Sequence, residues 1–211
     1  MSLKSDHSFI EHYLSLHQFT RYQNLGRYRL AQHLGLTKDQ TRPIIHHLVD
    51  KKLIKKISRR EGHTLSQEGA DYLAKCEEIM HISPIHVSFG ANFTVGSKDA
   101  VVCLEATGID YLNTVVLRDE ALLAGSKGCT VFFQEARDKF YLLNVIYPPL
   151  PTSPLTSRKV KQRIQKVTQG LSWGKIVVIV GTAESFSLAQ KGAIAAGLLL
   201  FPEALKNVLL P

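Results

Sequence analysis

The chain has 211 residues, 45% of them hydrophobic and 21% charged, and 26 Lys+Arg against 18 Asp+Glu leave a formal charge of +8. Enough Val, Leu and Ile are present to offset ordering entropy by burial, which excludes general disorder. At roughly 150 residues per domain the length allows one large domain or two small ones.

The first helix is expected over His7 to Leu16, where Ile10, Tyr13, Leu14 and His17 fall at helical spacing after Asp6, a candidate N-cap. GRYRLAQHLGL follows, with Leu30, Ala31 and Leu34 on one face and Gly35 as a left-handed stop. Thr37 caps a third helix, whose inner stripe is Thr41, Ile44, Ile45 and Leu48 and whose outer side carries Asp39, Arg42, Pro43, His46 and His47. Pro43 removes one helical hydrogen bond, so this helix is either kinked there or begins later than Thr37. Residues 51–60, KKLIKKISRR, hold six positive charges and no acid. With the turn RREGH and the return TLS they read as a small hairpin with Gly62 in its turn. A fourth helix starts at Gln67, with Ala70, Leu73 and Ala74 inward.

Three helices, a basic hairpin and a closing helix resemble the winged helix-turn-helix domains of transcription regulators, the MarR-like ones among them. RLAQHLGLTKDQTRPIIHHLVDKKLI is similar to the family's helix-turn-helix. HTLSQEGADYL resembles the return strand and next helix, Leu65, Ser66 and Gly69 matching its Leu-Thr-x-x-Gly signature. Lys52 stands where the family often has Gly. The resemblance implies double-stranded DNA as partner, with Thr37, Lys38, Asp39, Arg42 and His46 at the major groove and Lys55, Lys56, Arg59, Arg60 and His63 along the backbone. Groove contacts specify sequence, whereas phosphate contacts position the protein and make binding salt-sensitive.

A linker is expected near Ile82 to Gly90, separating a domain at 1–82 from one at 91–211. Beyond it, AVVCLEA (Ala100 to Ala106) is a strand. Tyr111 to Ala124 is a helix with Leu112, Val115, Val116 and Leu123 inward, and Cys129 to Gln134 with Lys139 to Ile146 a hairpin. After the Pro-rich YPPLPTSP, a basic helix carrying Arg158, Lys159, Lys161, Arg163 and Lys166 has the thin stripe Val160, Ile164, Val167 and Leu171. KIVVIV is a buried strand and Glu184 to Leu200 a last apolar helix. The order β-α-β-β-α-β-α predicts an α+β protein whose second domain is a ferredoxin-like sandwich with one added helix. The two-domain plan is similar to archaeal Lrp-like regulators and, more loosely, to archaeal winged-helix proteins whose C-terminal domain has no known role.

Chemistry in the second domain is sparse. VVIVGTAES, a strand, one Gly and a helix N-terminus, makes Gly181, Thr182 and Ser185 candidate ligand residues, since such a turn can offer N–H groups to an anion. No GxGxxG, Walker loop, GxSxG or HExxH occurs, and Glu105, Asp110, Asp119 and Glu120 form no acid/base pair. Neither catalytic residues, a metal site nor a cofactor is therefore expected. Cys76, Cys103 and Cys129 stand singly, which suits a reducing compartment and core packing. The longest apolar run, Ala193 to Phe201, falls short of the roughly 20 residues a membrane helix needs. The start of the chain lacks the apolar stretch of a signal peptide. A cytoplasmic, membrane-free DNA-binding regulator is the expectation. It would be a homodimer, because one helix-turn-helix reads too few base pairs, and its second domain would pair subunits and sense a small-molecule effector. The alternative is an enzyme acting on a nucleotide- or cofactor-like molecule, its winged helix serving recruitment or dimerisation.

Overall fold

The computed structural model describes residues 7–58, 60–83, 86–106, 112–143 and 153–200. Among them are seven helices and two antiparallel sheets, giving an α+β protein. No helix among the described residues is long and apolar enough to cross a membrane. The chain divides into two compact units, Asp6–Glu78 and one made mainly of Ile79–Pro211.

The first unit runs α1 (His7–Arg21), α2 (Arg27–Leu34), α3 (Lys38–Asp50), β1 (Ile54–Ser58), β2 (Gly62–Leu65) and α4 (Gln67–Ile79). Its core takes Ile10, Tyr13 and Leu14 from α1, Leu30, Ala31 and Leu34 from α2, and Ile44, Ile45 and Leu48 from α3. Gly35 ends α2 at φ 66°, the N–H groups of Gly35 and Leu36 reaching back to the carbonyls of Gln32 and Ala31. α3 begins directly after Thr37, so Pro43 lies inside the helix. The cost of that missing bond is offset at the helix start, where Thr37 and Gln40 form a reciprocal capping box.

The exit from α3 explains two residues of the signature. Lys52 N–H bonds to Val49 O and Leu53 N–H to Leu48 O, a Schellman closure that needs a left-handed residue at position 52. Lys52 adopts φ 60°, and no other described non-glycine residue has positive φ. Ser66 then fastens the hairpin to α4. Its hydroxyl donates to Lys52 O (2.6 Å) and accepts from Gly69 N–H (2.9 Å). A Cβ on Gly69 would lie 2.0 Å from Leu53 O, so only glycine fits.

The second unit contains β3 (Met80–Ile82), β4 (Lys98–Glu105), α5 (Thr114–Leu123), β5 (Cys129–Ala136), β6 (Lys139–Leu143), β7 (Ser153–Pro154), α6 (Arg158–Thr168), β8 (Ile176–Ala183) and α7 (Phe186–Leu198). Its strands form one sheet in the order β3-β4-β8-β5-β6-β7, every neighbouring pair antiparallel. Ile176, Val178 and Val180 of β8 join Val160, Ile164 and Val167 of α6 in one core cluster. The opposite face of β8 meets α7, where Gly181 lets the helix backbone approach. Covered on both faces, β8 is buried along its whole length, which is why it reads as a continuous apolar run.

Four expectations need correction. β4 and β5 are parallel to each other with one strand between them. In a ferredoxin-like sheet that strand is the second of the hairpin, whereas here it is the last, β8. The reason lies in the side chains: β8 is almost wholly apolar and buried at every position, while β6 has one exposed and two half-buried positions and suits a place nearer the edge. The segment expected as a linker belongs to the second unit. Ile82 pairs with Val102 in the sheet, and Phe89 is buried against Phe132, its N–H donated to Asp99 Oδ2 at 2.8 Å. α5 turns the other way from its expected face: Thr114, Leu117, Glu120 and Ala121 are buried, while Val115, Val116 and Leu123 are exposed. Similarly, α4 buries Gly69, Leu73 and Cys76, leaving Ala74 outside. Asp6, Arg59, Asp110 and most of YPPLPTSP lie outside the described residues.

Candidate nucleic-acid interface

The outward side of α3 follows from its inward one. With Thr41, Ile44, Ile45 and Leu48 buried, the helical repeat leaves Asp39, Arg42, Pro43 and His46 exposed. Thr37 acts as the cap: its hydroxyl accepts from Gln40 N–H at 3.2 Å and its own N–H donates to Gln40 Oε1 at 2.9 Å. The helix therefore presents its positive end beside Lys38 and Arg42, a setting that favours an anion. Lys38 Nζ lies 4.4 Å from the ring centre of Tyr28, with Arg27 on the same ring at 5.6 Å. Tyr28 is 60% exposed, too open for a core residue. Sequence reasoning passed over Arg27 and Tyr28; the signal was the basic-aromatic-basic GRYR at the start of α2.

The hairpin is held rigidly against the rest of its unit. His63 exchanges two backbone hydrogen bonds with Leu25, at 2.9 and 3.0 Å. Gly62, at φ 86°, permits this approach, since a Cβ there would lie 2.4 Å from Leu25 O. Lys55 pairs with Thr64 and Lys56 with His63 across the strands. Lys55, Lys56 and Arg60 are exposed, and the Ser58 hydroxyl accepts from Glu61 N–H (3.0 Å) to shape the turn.

Burial lowers the His63 pKa, and the positive charges of Lys56 on the hairpin and His46 on α3 lower it further. Lys56 stands directly across the strands from His63. Of the ten residues expected to contact nucleic acid, Thr37 is engaged as a cap and Arg59 lies outside the described set. Lys38, Asp39, Arg42, His46, Lys55, Lys56 and Arg60 are exposed. Such a surface combines hydrogen-bonding side chains on the helix with point charges on the hairpin.

Of the residues expected to form a ligand site, Gly181 and Thr182 are buried and Ser185 is exposed. A Cβ on Gly181 would lie 2.2 Å from Ala189 O, so the space in front of it belongs to α7. Thr182 accepts from Gly96 N–H at 2.8 Å through its hydroxyl, and Ser185 caps α7 by accepting from Leu188 N–H at 3.3 Å. Glu184 is bound to Lys127 and Ser97, which lowers its pKa. Here the glycine serves close helix-to-strand packing. Burial pushes the Cys76 and Cys129 thiols up to about 12, so neither supplies a thiolate near neutral pH.

A cleft of about 640 Å³ opens elsewhere in the second unit, between the end of α6 and the β5–β6 turn; Arg137, Lys166 and Trp173 are among its lining residues. The family model described as a domain of unknown function (DUF4443) matches residues 95–200, half of the chain. The chain belongs to this family. The DUF4443 region runs from just before β4 to just beyond α7 and so contains the cleft, while α3 and the hairpin precede it. Over 95% of this chain and 97% of the other, the DUF4443 protein is similar in structure to hypothetical protein PH0730 from Pyrococcus horikoshii OT3, with a TM-score of 0.65 at 22% identity. At that identity the likeness concerns fold alone. No curated protein matches the chain.

Proposed function

We propose that this protein is a DNA-binding transcription regulator whose first unit is a winged helix-turn-helix, MarR-like in its order of elements, with α3 as recognition helix and the β1–β2 hairpin as wing. The observation that carries this reading is an exposed outer face of α3, with Lys38 and Arg42, in the same unit as a cationic hairpin whose Lys55, Lys56 and Arg60 are exposed and which is anchored through the His63–Leu25 backbone bonds. The left-handed Lys52, at the position where that family often has glycine, also supports it. Arg42 is the base-reading candidate. Lys55, Lys56 and Arg60 are the phosphate contacts.

Homodimerisation is part of the proposal, and α5 supports it. Val115, Val116, Leu122 and Leu123 are exposed on this helix, and Arg118 and Asp119 lie side by side among them, 3.0 Å apart. If two copies of α5 pair antiparallel about an axis between positions 118 and 119, each charge meets its opposite and Val115 meets Leu122. The resulting two-fold protein suits a palindromic site.

Fluorescence anisotropy with labelled genomic DNA fragments, repeated at rising salt, tests the reading. Three or more neutralised phosphates should give a log-log slope of about −3 or steeper. Binding that does not change with salt would refute it.

A further inference from the structure

We propose that the cleft beside α6 is a binding site for an adenine nucleotide. Its floor and walls come from separate parts of the second unit: β5, the turn after it, the last turns of α6, and the segment leading into β8. The cleft falls within the range of small-molecule sites, roughly 300 to 1,000 Å³. None of its lining residues is acidic, and two are cationic, Arg137 and Lys166. Two full charges outweigh the roughly half negative charge that the C-terminal end of α6 contributes.

The remaining groups favour a planar, hydrogen-bonding ring. Trp173 lines the cleft and also packs on the core cluster, which holds the indole in place as a surface for stacking. Two of the lining glutamines are already oriented by the fold. Gln134 Oε1 lies 3.1 Å from the Thr168 hydroxyl, whose proton it shares with Ile164 O at 3.0 Å, leaving the Gln134 amide N–H groups as donors. Gln165 Nε2 donates to Arg137 O at 3.3 Å, leaving its Oε1 as an acceptor. One donor and one acceptor match adenine N7 and N6–H, whereas guanine offers two acceptors on that edge. The cations then serve the phosphate.

Any role of this ligand as an effector rests on the regulator reading above; occupancy of the cleft does not. Trp173 is the single tryptophan of the chain, so its emission reports on the cleft directly. The full-length protein is titrated, without DNA, with AMP, GMP, adenosine and inorganic phosphate, and AMP retention is measured independently by equilibrium dialysis. AMP should quench saturably. GMP, adenosine and phosphate should each bind at least about tenfold more weakly, as expected for one missing charged or base-edge contact. Arg137→Ala and Lys166→Ala, both at exposed positions, should each weaken AMP by roughly tenfold while leaving thermal unfolding unchanged. Absence of saturable quenching together with no AMP retained in dialysis would overturn the site. GMP or adenosine binding as tightly as AMP would overturn the assignment of the glutamine pair or of the cations. A failure here leaves the salt-dependent DNA measurement untouched, and the converse holds.

Discussion

Lys52 shows how one residue can carry strain for the sake of a turn. An L-residue in the left-handed region is disfavoured by about 1–2 kcal/mol, part of which glycine would return as unfolded-chain entropy. Lys52→Gly should therefore stabilise the protein by about 0.5–1 kcal/mol, seen as a higher midpoint in chemical denaturation. An unchanged or lower midpoint would show that the Lys52 side chain contributes enough to compensate. Arg42 carries, at the same scale, a test of the proposed DNA reading. Arg42→Ala should leave non-specific binding nearly intact and reduce discrimination at one base pair by about 1–3 kcal/mol in competition assays. At this scale the sequence was partly legible: Gly35, Thr37 and Gly69 announce their roles by type and spacing. Tyr28 and Trp173 do not, because an isolated aromatic looks the same whether it packs inward or faces a ligand.

Among elements, α3 could be read from periodicity alone, because its four inward residues face a single core and the opposite side is polar. α5 could not. Val115, Val116, Leu117, Leu122 and Leu123 put apolar side chains on every side, and the buried face is decided by packing on α7 and the sheet. The pairing of α1 with α3 was equally hidden. His12 stacks on His47 with ring centres 4.2 Å apart, and burial first, then the charge of His47, lowers the His12 pKa to about 4. Between its ordinary value near 6.5 and about 4, the unfolded chain binds a proton that the folded protein refuses. Folding stability should thus fall as pH drops through that window and level off below it. His12→Gln should flatten this part of the profile in denaturation curves taken from pH 7 to 4. An identical slope in the variant would assign the acid sensitivity to other groups.

For the whole molecule, homodimerisation is the testable consequence. Leu123 is 73% exposed and Leu122 46%, so Leu122→Lys removes little packing and places a charge on the proposed two-fold seam. Sedimentation should show dimer for the natural sequence and monomer for the variant, with unchanged thermal stability at low protein concentration. A dimeric variant would exclude α5 as the seam.

The sequence alone determined the number and kind of most elements, the helix stops and the cationic hairpin, because these depend on residue spacing and on backbone preferences within a few positions. Tertiary structure decided what needs partners distant in the chain. It placed β8 between β4 and β5, filled the space before Gly181 with α7, tied the hairpin to the chain before α2 through His63 and Leu25, and gathered Arg137, Lys166 and Trp173 around one cleft. Local pattern records which side chains are apolar or charged, but only packing of the completed sheet and helices selects which of them meet.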